Sequence, residues 1–129
     1  MEYLADTVTI IRHFTDSGKI GKAAQDIIDR VDANKDTLVI SVVSLMEILY
    51  LSDKNRINLT LSETLEAIDL STNYIIADLT SEILQVAETV VFRELHDRLI
   101  LSTAKFFGIP IISSDEEFTG IQGINVIWD

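Results

Sequence analysis

Short apolar runs alternate along the chain with segments in which apolar residues recur every three or four positions. The apolar runs predict β-strands, and the wider spacing predicts helices that bury one face. Strands that alternate with helices are typical of an α/β protein with a parallel sheet. We predict strands at residues 3–5, 38–41, 74–77, 111–113 and 125–128, and helices that begin at Thr7 and that cover residues 20–31, 44–53, 62–70, 83–91 and 97–107.

Length and composition predict one small domain that spans residues 1–129. Apolar residues make up 47% of the chain, which is ample for a core. The chain has no cysteine, which excludes disulfides and thiolate metal sites and suits a reducing cytoplasm. No apolar stretch approaches the roughly 20 residues of a membrane helix, and the N-terminus lacks the basic segment of a signal peptide. We therefore expect a cytoplasmic protein with no membrane segment.

The charge balance argues against a general affinity for polyanions. Ten basic residues stand against 21 acidic ones, which gives a net charge of −11. Proteins that bind nucleic acids usually contact the phosphates through lysine and arginine. Any activity on RNA must therefore depend on metal cations or on a local basic patch.

Four acidic residues lie at the same end of the predicted sheet. Asp6 directly follows the first strand, Glu47 lies early in the helix after the second, and Asp115 lies two residues past the fourth. Asp97 opens the helix before that fourth strand and must reach the same edge from the helix N-terminus. Because ligands of parallel sheets bind at the edge formed by the carboxyl ends of the strands, we expect these four side chains to meet there.

Each acid also has a purely structural interpretation. Asp6 and Asp97 are favoured N-cap residues for the helices that follow them. Glu47 completes a capping box with Ser44, and Asp115 suits an Asx turn. Their combination favours a functional site, because crowded carboxylates repel one another unless a cation joins them. A site made of oxygen ligands suits Mg²⁺ or Mn²⁺, which can lower the pKa of a bound water and hold a phosphate.

Several segments resemble the PIN domain, in particular the VapC-type toxins of prokaryotic toxin–antitoxin pairs. These segments are residues 3–7 (YLADT), 44–48 (SLMEI), the basic turn at 54–57 (KNRI), 96–104 (HDRLILSTA), 108–115 (GIPIISSD) and the closing 126–128 (VIW). Each motif is short, but their order and spacing extend over essentially the whole chain.

The resemblance implies a three-layer α/β/α fold around a central parallel sheet of four or five strands. It implies hydrolysis of RNA phosphodiester bonds with Mg²⁺ or Mn²⁺, and inhibition by a small antitoxin protein. The residues that match the family's catalytic and metal-binding acids are Asp6, Glu47, Asp97 and Asp115. One departure is Val8, because many family members have a histidine soon after the first aspartate.

Few residues are available to contact an RNA substrate around these acids. Arg98 is the best candidate because it follows Asp97 directly. The other candidates, which are equally explained as solvated charges or turn residues, are Arg12, Lys54, Arg56 and Ser114. His13 and His96 are not expected to bind metal, because no second histidine lies at ligand spacing from either of them.

Two other functions remain open. A receiver-type signalling domain has a similar length and fold class, and Asp78 after the third strand is its candidate phosphorylation site. A receiver also requires a lysine after the fifth strand, yet no lysine occurs after Lys105. The second alternative is a catalytically silent PIN-like fold that only binds partners, although all four acids are present.

Apolar residues around the third predicted helix suggest a partner surface. Leu49, Leu51, Ile57 and Leu59 place apolar groups on more than one face of this region. A helix that is apolar on two faces usually covers the second face with a partner. We therefore expect a homodimer or a complex with an antitoxin.

Overall fold

A computed structural model describes residues 1–129 and shows a five-stranded sheet. Its strands are β1 (Glu2–Ala5), β2 (Thr37–Ser41), β3 (Tyr74–Ala77), β4 (Ile111–Ile112) and β5 (Val126–Ile127). They lie in the order β3-β2-β1-β4-β5, and every neighbouring pair is parallel. The predicted parallel sheet is therefore confirmed, with five strands.

Six α-helices and one short 3₁₀ helix connect the strands. Helices α1 (Thr7–Thr15) and α2 (Lys22–Asp32) lie between β1 and β2, and α3 (Val42–Asp53) and α4 (Leu61–Asp69) lie between β2 and β3. Helices α5 (Ser81–Ala87) and α6 (Leu95–Phe107) precede β4, and the 3₁₀ helix (Glu116–Phe118) precedes β5. None of the six α-helices has the length and apolar character needed to cross a membrane.

The helices cover both faces of the sheet. Leu4 of β1 and Ile111 of β4 belong to a buried cluster with residues of α5 and α6. The next residues in the same strands, Ala5 and Ile112, belong to a second cluster with residues of α1, α2, α3 and α4. Successive strand residues point to opposite faces, so both faces of these strands are buried. The three-layer α/β/α architecture is therefore confirmed.

The strand order excludes the receiver-type alternative. In the receiver-like doubly wound order 2-1-3-4-5, the third strand lies beside the first at the ligand-binding crevice. Here β3 is an edge strand, and β2 separates it from β1. Asp78, which follows β3, is exposed and does not lie on a strand adjacent to the one that carries Asp6.

Two predicted helix starts are wrong, and both errors concern predicted site residues. Helix α3 begins at Val42, because the hydroxyl of Ser41 accepts the N–H of Val43 at 3.0 Å and caps the helix there. Ser44 therefore lies inside the helix, and its predicted capping box with Glu47 does not form. This displacement leaves the Glu47 side chain free for a tertiary contact.

The second error concerns α6. Glu94 is its N-cap residue, and its carboxylate accepts the N–H groups of His96 at 3.0 Å and Asp97 at 2.7 Å. Asp97 is therefore the third residue of the helix and does not cap it. Its carboxylate accepts no hydrogen bond from any part of the protein, so it is not held by a structural role.

Helix α5 is shorter than the periodicity predicts. The helix ends at Ala87. Val90, which was predicted to lie on its apolar face, follows the helix but is still buried in the core. Val91 was predicted on the same buried face, but it lies beyond the helix and is almost fully exposed.

Gly21 lies against the last residues of the chain. It is the N-cap residue of α2, and the carbonyl of Trp128 accepts the N–H of Ala24 at 3.0 Å. A Cβ atom added at Gly21 would overlap the Trp128 carbonyl oxygen and lie 2.7 Å from its carbon. Arg12 also lies over the Trp128 ring, at 6.0 Å from the ring centroid.

Gly21→Ala should lower the free energy of unfolding by about 1–3 kcal/mol, because the methyl group meets backbone atoms that are held between β5 and α2. Denaturant unfolding of the wild type and the variant measures the difference. Lys22→Ala is the matched control, since Lys22 is exposed and its contact with Asp26 at 3.6 Å is a solvated surface pair. Equal stability of Gly21→Ala and the wild type would show that this end of the chain is not packed against α2 as described.

Candidate metal centre

Asp6 is a buried carboxylate at the carboxyl end of β1. Its Oδ1 atom accepts the Thr9 N–H at 2.9 Å and the Thr9 hydroxyl at 2.6 Å, which confirms that it caps α1. Its Oδ2 atom accepts the hydroxyl of Ser113, which lies just after β4. Burial raises the pKa of Asp6, the hydrogen bonds from Ser113 and Thr9 oppose this effect, and the charge of Asp115 adds to it.

Ser113 connects Asp6 with Asp115. Its hydroxyl donates to Asp6 and accepts the backbone N–H of Asp115 at 3.0 Å. Asp115 in turn accepts the N–H of Glu117 at 2.9 Å and caps the 3₁₀ helix, so the predicted Asx-type turn is confirmed. The neighbouring Ser114 is exposed and lines a cleft of ≈ 550 Å³ together with Asp115 and residues at the end of the chain.

Glu47 reaches the same region from the second turn of α3. The hydroxyl of Thr7, the residue after Asp6, donates to Glu47 Oε1 at 2.5 Å and also lies 2.9 Å from the hydroxyl of Ser44. The other carboxylate oxygen of Glu47 lies 3.7 Å from Nδ1 of His96. Thr7 and His96 therefore fix Glu47 between the starts of α1 and α6.

Asp97 receives the electrostatic influence of all the other predicted acids. Its carboxylate is half-buried, and burial is the main reason that its pKa rises to about 6. The charges of Glu94, Glu47, Asp115 and Asp6 raise the pKa further, in that order. Asp97 therefore lies within electrostatic range of the other three acids predicted from the sequence.

Glu94 is a fifth carboxylate that the sequence analysis missed. It contributes the largest charge effect on Asp97, and it lies 3.6 Å from Nδ1 of His96. A signal was present, because an acid three residues before Asp97 is placed as an N-cap if the helix begins at Leu95. The predicted start at Asp97 concealed it.

The predicted substrate-binding residues do not form a basic rim. Arg98 donates its Nε–H to the carbonyl of Ala87 at 2.8 Å, so it joins α6 to the end of α5. Arg12 donates to the carbonyl of Lys19 at 2.8 Å and covers Trp128. Among the basic side chains, only His96 lies at ion-pair distance from one of the four acids.

Lys54 and Arg56, the remaining cations predicted to contact a substrate, are both exposed. Lys54 lies 5.7 Å from the ring centroid of Tyr50, and Arg56 lines a surface cleft with residues of α1 and α4. Arg93 was not predicted, yet it is exposed and lines a cleft of ≈ 450 Å³ with Glu94 and Asp97. Arg93 therefore shares this cleft with two carboxylates, Glu94 and Asp97.

The carboxylates of this site are suitable ligands for a hard divalent cation, but their side chains would have to move to bind one. All the candidate donors are carboxylate oxygens, which Mg²⁺ and Mn²⁺ prefer, and a cation would relieve the repulsion that raises the pKa of Asp97. As arranged, no three Asp, Glu or His side chains stand close enough to hold one ion together. Metal binding therefore requires side-chain rotation, and Asp97 can rotate without breaking a hydrogen bond.

The metal-free protein should lose stability as the pH rises from about 4, the ordinary pKa range of an aspartate, through about 6, because Asp97 and Asp6 have raised pKa values and bind protons more tightly when folded. Asp36, whose pKa is lowered by Arg30, stays ionised throughout this window. Asp97→Asn should therefore raise the Tm at the higher pH by a few degrees and reduce the pH dependence. Because Asp97 is half-exposed and solvent screens its charge, the expected gain in the free energy of unfolding is about 1 kcal/mol. Thermal melts in EDTA across the pH range measure this difference in stability. Identical pH profiles of the Tm for the wild type and Asp97→Asn would contradict the prediction.

Comparisons with known proteins agree with this geometry. The family model described as "PIN domain" matches residues 3–124. The fold is similar to VapBC2 from Rickettsia felis bound to promoter DNA, with a TM-score of 0.75, 16% identity and 100% of both chains covered. It is also similar to DNA-bound VapBC from Salmonella typhimurium, with a TM-score of 0.72, 19% identity and 98% and 97% of the two chains covered.

A third similar structure is Mycobacterium tuberculosis VapC20, described as a toxin that cleaves the sarcin–ricin loop. It has a TM-score of 0.65 and 18% identity, and the match covers 95% of this chain and 98% of that one. None of the curated protein sequences matches the chain significantly. At these identities the structural similarities establish the fold, and the family model establishes the relationship.

Proposed function

The chain belongs to the PIN domain family, and on this premise we propose that it is a Mg²⁺- or Mn²⁺-dependent endoribonuclease of the toxin–antitoxin type. One feature supports the proposal most strongly: acids from separate parts of the chain are held at the same edge of the sheet. Ser113 joins Asp6 to Asp115, and Thr7, the residue after Asp6, holds Glu47. The raised pKa of Asp97 agrees with this crowding of negative charge. Like charges brought together without neutralising cations destabilise a fold, so a functional reason is needed to keep them.

The acids have distinct roles in this proposal. Asp6 and Asp97 are the primary metal ligands, and Glu47 and Asp115 complete the site directly or through water. A cation held by these residues would supply a Lewis acid that lowers the pKa of water and neutralises phosphate charge. The protein orients its donors through three groups: Ser113 holds Asp6, Thr7 holds Glu47, and the Glu94 cap fixes the turn that carries Asp97.

We place the antitoxin on the exposed side of α3. Met46, Leu49 and Tyr50 are spaced three and four residues apart, so they form one apolar strip, and all three are exposed. Leu59, which was predicted to belong to this surface, is instead buried in the core. The similar structures from Rickettsia felis and Salmonella typhimurium are described as VapBC assemblies, which supports a protein partner for this chain. The cytoplasmic location expected from the sequence is part of the same proposal.

The nuclease should be selective and slow on generic RNA, because a net charge of −11 repels a polyanion and only a few cations lie near the site. Structured RNA with exposed bases should be cut in preference to a random pool. Cleavage in Mn²⁺ is compared between random RNA and structured RNAs such as tRNA across a salt series. The salt dependence should be shallow, at about one unit of log–log slope per phosphate contact.

Arg93→Ala tests whether this side chain contacts the substrate. Arg56→Ala is the matched control, because the cleft that Arg56 lines contains none of the four proposed site acids. Cleavage should fall more for Arg93→Ala than for Arg56→Ala. Equal and fast cutting of every RNA with a steep salt slope would contradict the selectivity. Absence of cleavage on all RNAs in both metals would favour the catalytically silent binding module.

A further inference from the structure

Three polar side chains meet at the end of the sheet opposite to the acidic site. His13 lies in the last turn of α1, Asp32 is the last residue of α2, and Tyr74 is the first residue of β3. Tyr74 therefore lies at the amino ends of the parallel strands, whereas Asp6 follows a carboxyl end. Asp6 caps the start of α1, and the rise of the helix between Asp6 and His13 is about 10 Å. The two sites are thus separate.

The polar atoms of these side chains face one another. His13 Nε2 lies 2.9 Å from the Tyr74 hydroxyl, which lies 3.2 Å from Asp32 Oδ1, and that oxygen lies 3.9 Å from His13 Nε2. A point equidistant from the three atoms lies about 2 Å from each of them, which is the length of a bond from Zn²⁺ to nitrogen or oxygen. One ion can therefore contact all three atoms without rearrangement of the backbone.

The charge of this region favours a cation. The three residues line a cleft of ≈ 550 Å³ in which Asp32 is the only acid and no lysine or arginine is present. Helices α1 and α2 both end beside the cleft, and the partial negative charge at the C-terminus of a helix attracts cations. An anionic ligand would meet only repulsion there, whereas a metal ion would neutralise Asp32.

We propose that His13, Asp32 and Tyr74 bind one Zn²⁺ ion, with water from the cleft as the remaining ligand. The Asp32 side chain is 54% exposed, so the ion can enter from solvent. Imidazole is a ligand that zinc accepts readily, whereas Mg²⁺ prefers oxygen, so this site and the all-carboxylate centre select different metals. No second histidine lies near His13 in the sequence, but the fold brings it donors from α2 and β3. The site does not depend on the proposed nuclease activity.

Zinc binding requires the Tyr74 hydroxyl to lose its proton. The O–H bond breaks, an O–Zn bond forms, and the proton passes to solvent. Burial and the charge of Asp32 raise the pKa of Tyr74 in the metal-free protein. Zn²⁺ lowers the pKa of bound water from about 15.7 to about 7–9, an effect large enough to ionise this phenol near neutral pH. Zinc should therefore produce tyrosinate absorbance.

Two signals report zinc binding at this site directly. The chain has only two histidines, so NMR resolves the ring protons of His13 and His96, and His13→Gln assigns them. About one equivalent of Zn²⁺ should shift the His13 signals. The same addition should produce tyrosinate absorbance in the wild type but not in Tyr74→Phe. Mg²⁺ should change neither signal.

The zinc dependence of the tyrosinate absorbance measures the affinity of the site. Asp32→Asn should weaken zinc binding at least about tenfold, since even groups that merely support metal ligands contribute 10–100-fold. Asp29→Asn is the matched control, because Asp29 is an exposed aspartate of the same helix that does not line the cleft. Asp97→Asn should also retain the signal, because it alters only the acidic centre.

Thermal melts in EDTA check that each variant is folded, and Asp32→Asn changes an exposed side chain. Absence of either signal at saturating Zn²⁺ would overturn the proposal. Equal zinc affinity of Asp32→Asn and Asp29→Asn would overturn it as well. Zinc binding that Asp97→Asn abolishes and His13→Gln leaves intact would place the ion at the acidic centre instead.

Discussion

Asp97→Asn should reduce Mn²⁺-dependent RNA cleavage by at least about 100-fold, since changes even to groups that merely support metal ligands cost 10–100-fold. The fold should remain intact, because the Asp97 carboxylate accepts no hydrogen bond within the protein. Its negative charge adds to that of Glu94, Glu47, Asp115 and Asp6, so replacing it by an amide removes repulsion. Loss of activity together with an unchanged or higher Tm distinguishes a ligand from a structural residue.

Asp78→Asn is the matched control for this variant. It makes the same change at an exposed aspartate that lies at the sheet margin, directly after β3. Its cleavage rate should equal that of the wild type. Asp6→Asn should also abolish RNA cleavage. Its effect on stability is mixed, because the amide relieves charge repulsion but alters the hydrogen bonds from Thr9 and Ser113. Normal cleavage by both Asp97→Asn and Asp6→Asn would place the active site elsewhere.

Saturating Mg²⁺ or Mn²⁺ should raise the Tm of the wild type, because the folded chain gathers ligands that the unfolded chain scatters. At a metal concentration about 100 times the Kd, linkage predicts about 2.7 kcal/mol of stabilisation, or roughly 10 °C for a domain of this size. The increase should be larger near pH 7 than near pH 5, since protonation of Asp97, whose pKa is about 6, competes with the cation.

The metal-induced shift in Tm should be compared between Asp97→Asn and its control Asp78→Asn. The shift should be largely lost in Asp97→Asn and retained in Asp78→Asn. A chelator added to the metal-loaded protein should return the Tm to its starting value. An unchanged Tm at all metal concentrations, together with a flat calorimetric titration, would exclude a metal site formed by these acids.

The positions of Asp6 and Asp115 after their strands, and their capping contacts, could be predicted because these signals are local. Each follows an apolar strand, and each caps the short element after it, as the confirmed hydrogen bonds to Thr9 and Glu117 show. The parallel sheet then brings the two residues together, because β1 and β4 are neighbours. Strand pattern and capping rules were therefore sufficient to place these two side chains near each other.

The functional role of Glu47 stays a prediction, whereas its structural alternative, the capping box with Ser44, was wrong. Ser41 and Ser44 are both acceptable caps in the sequence, and the choice depends on where β2 ends. The contact that orients Glu47 comes from Thr7, forty residues earlier in the chain. No local pattern predicts a hydrogen bond between side chains so far apart in sequence.

The basic residues show the limit of sequence reasoning most clearly. Arg98 follows Asp97 directly, yet successive residues on a helix point about 100° apart, and its guanidinium reaches the carbonyl of Ala87. Arg93 lies outside the predicted helix and was not considered, although it shares a cleft with Asp97. Side-chain direction at a helix start depends on the exact first residue, which sequence patterns locate poorly.

Cleavage of structured RNA by the wild-type protein, with and without metal, tests the central claim most directly. The protein is first treated with EDTA and then assayed alone, after addition of Mn²⁺ or Mg²⁺, and after renewed chelation. We expect no cleavage in EDTA, internal cleavage when either metal is restored, and loss of cleavage on renewed chelation. Cleavage that persists undiminished in EDTA, or no cleavage of any RNA in either metal, would contradict it.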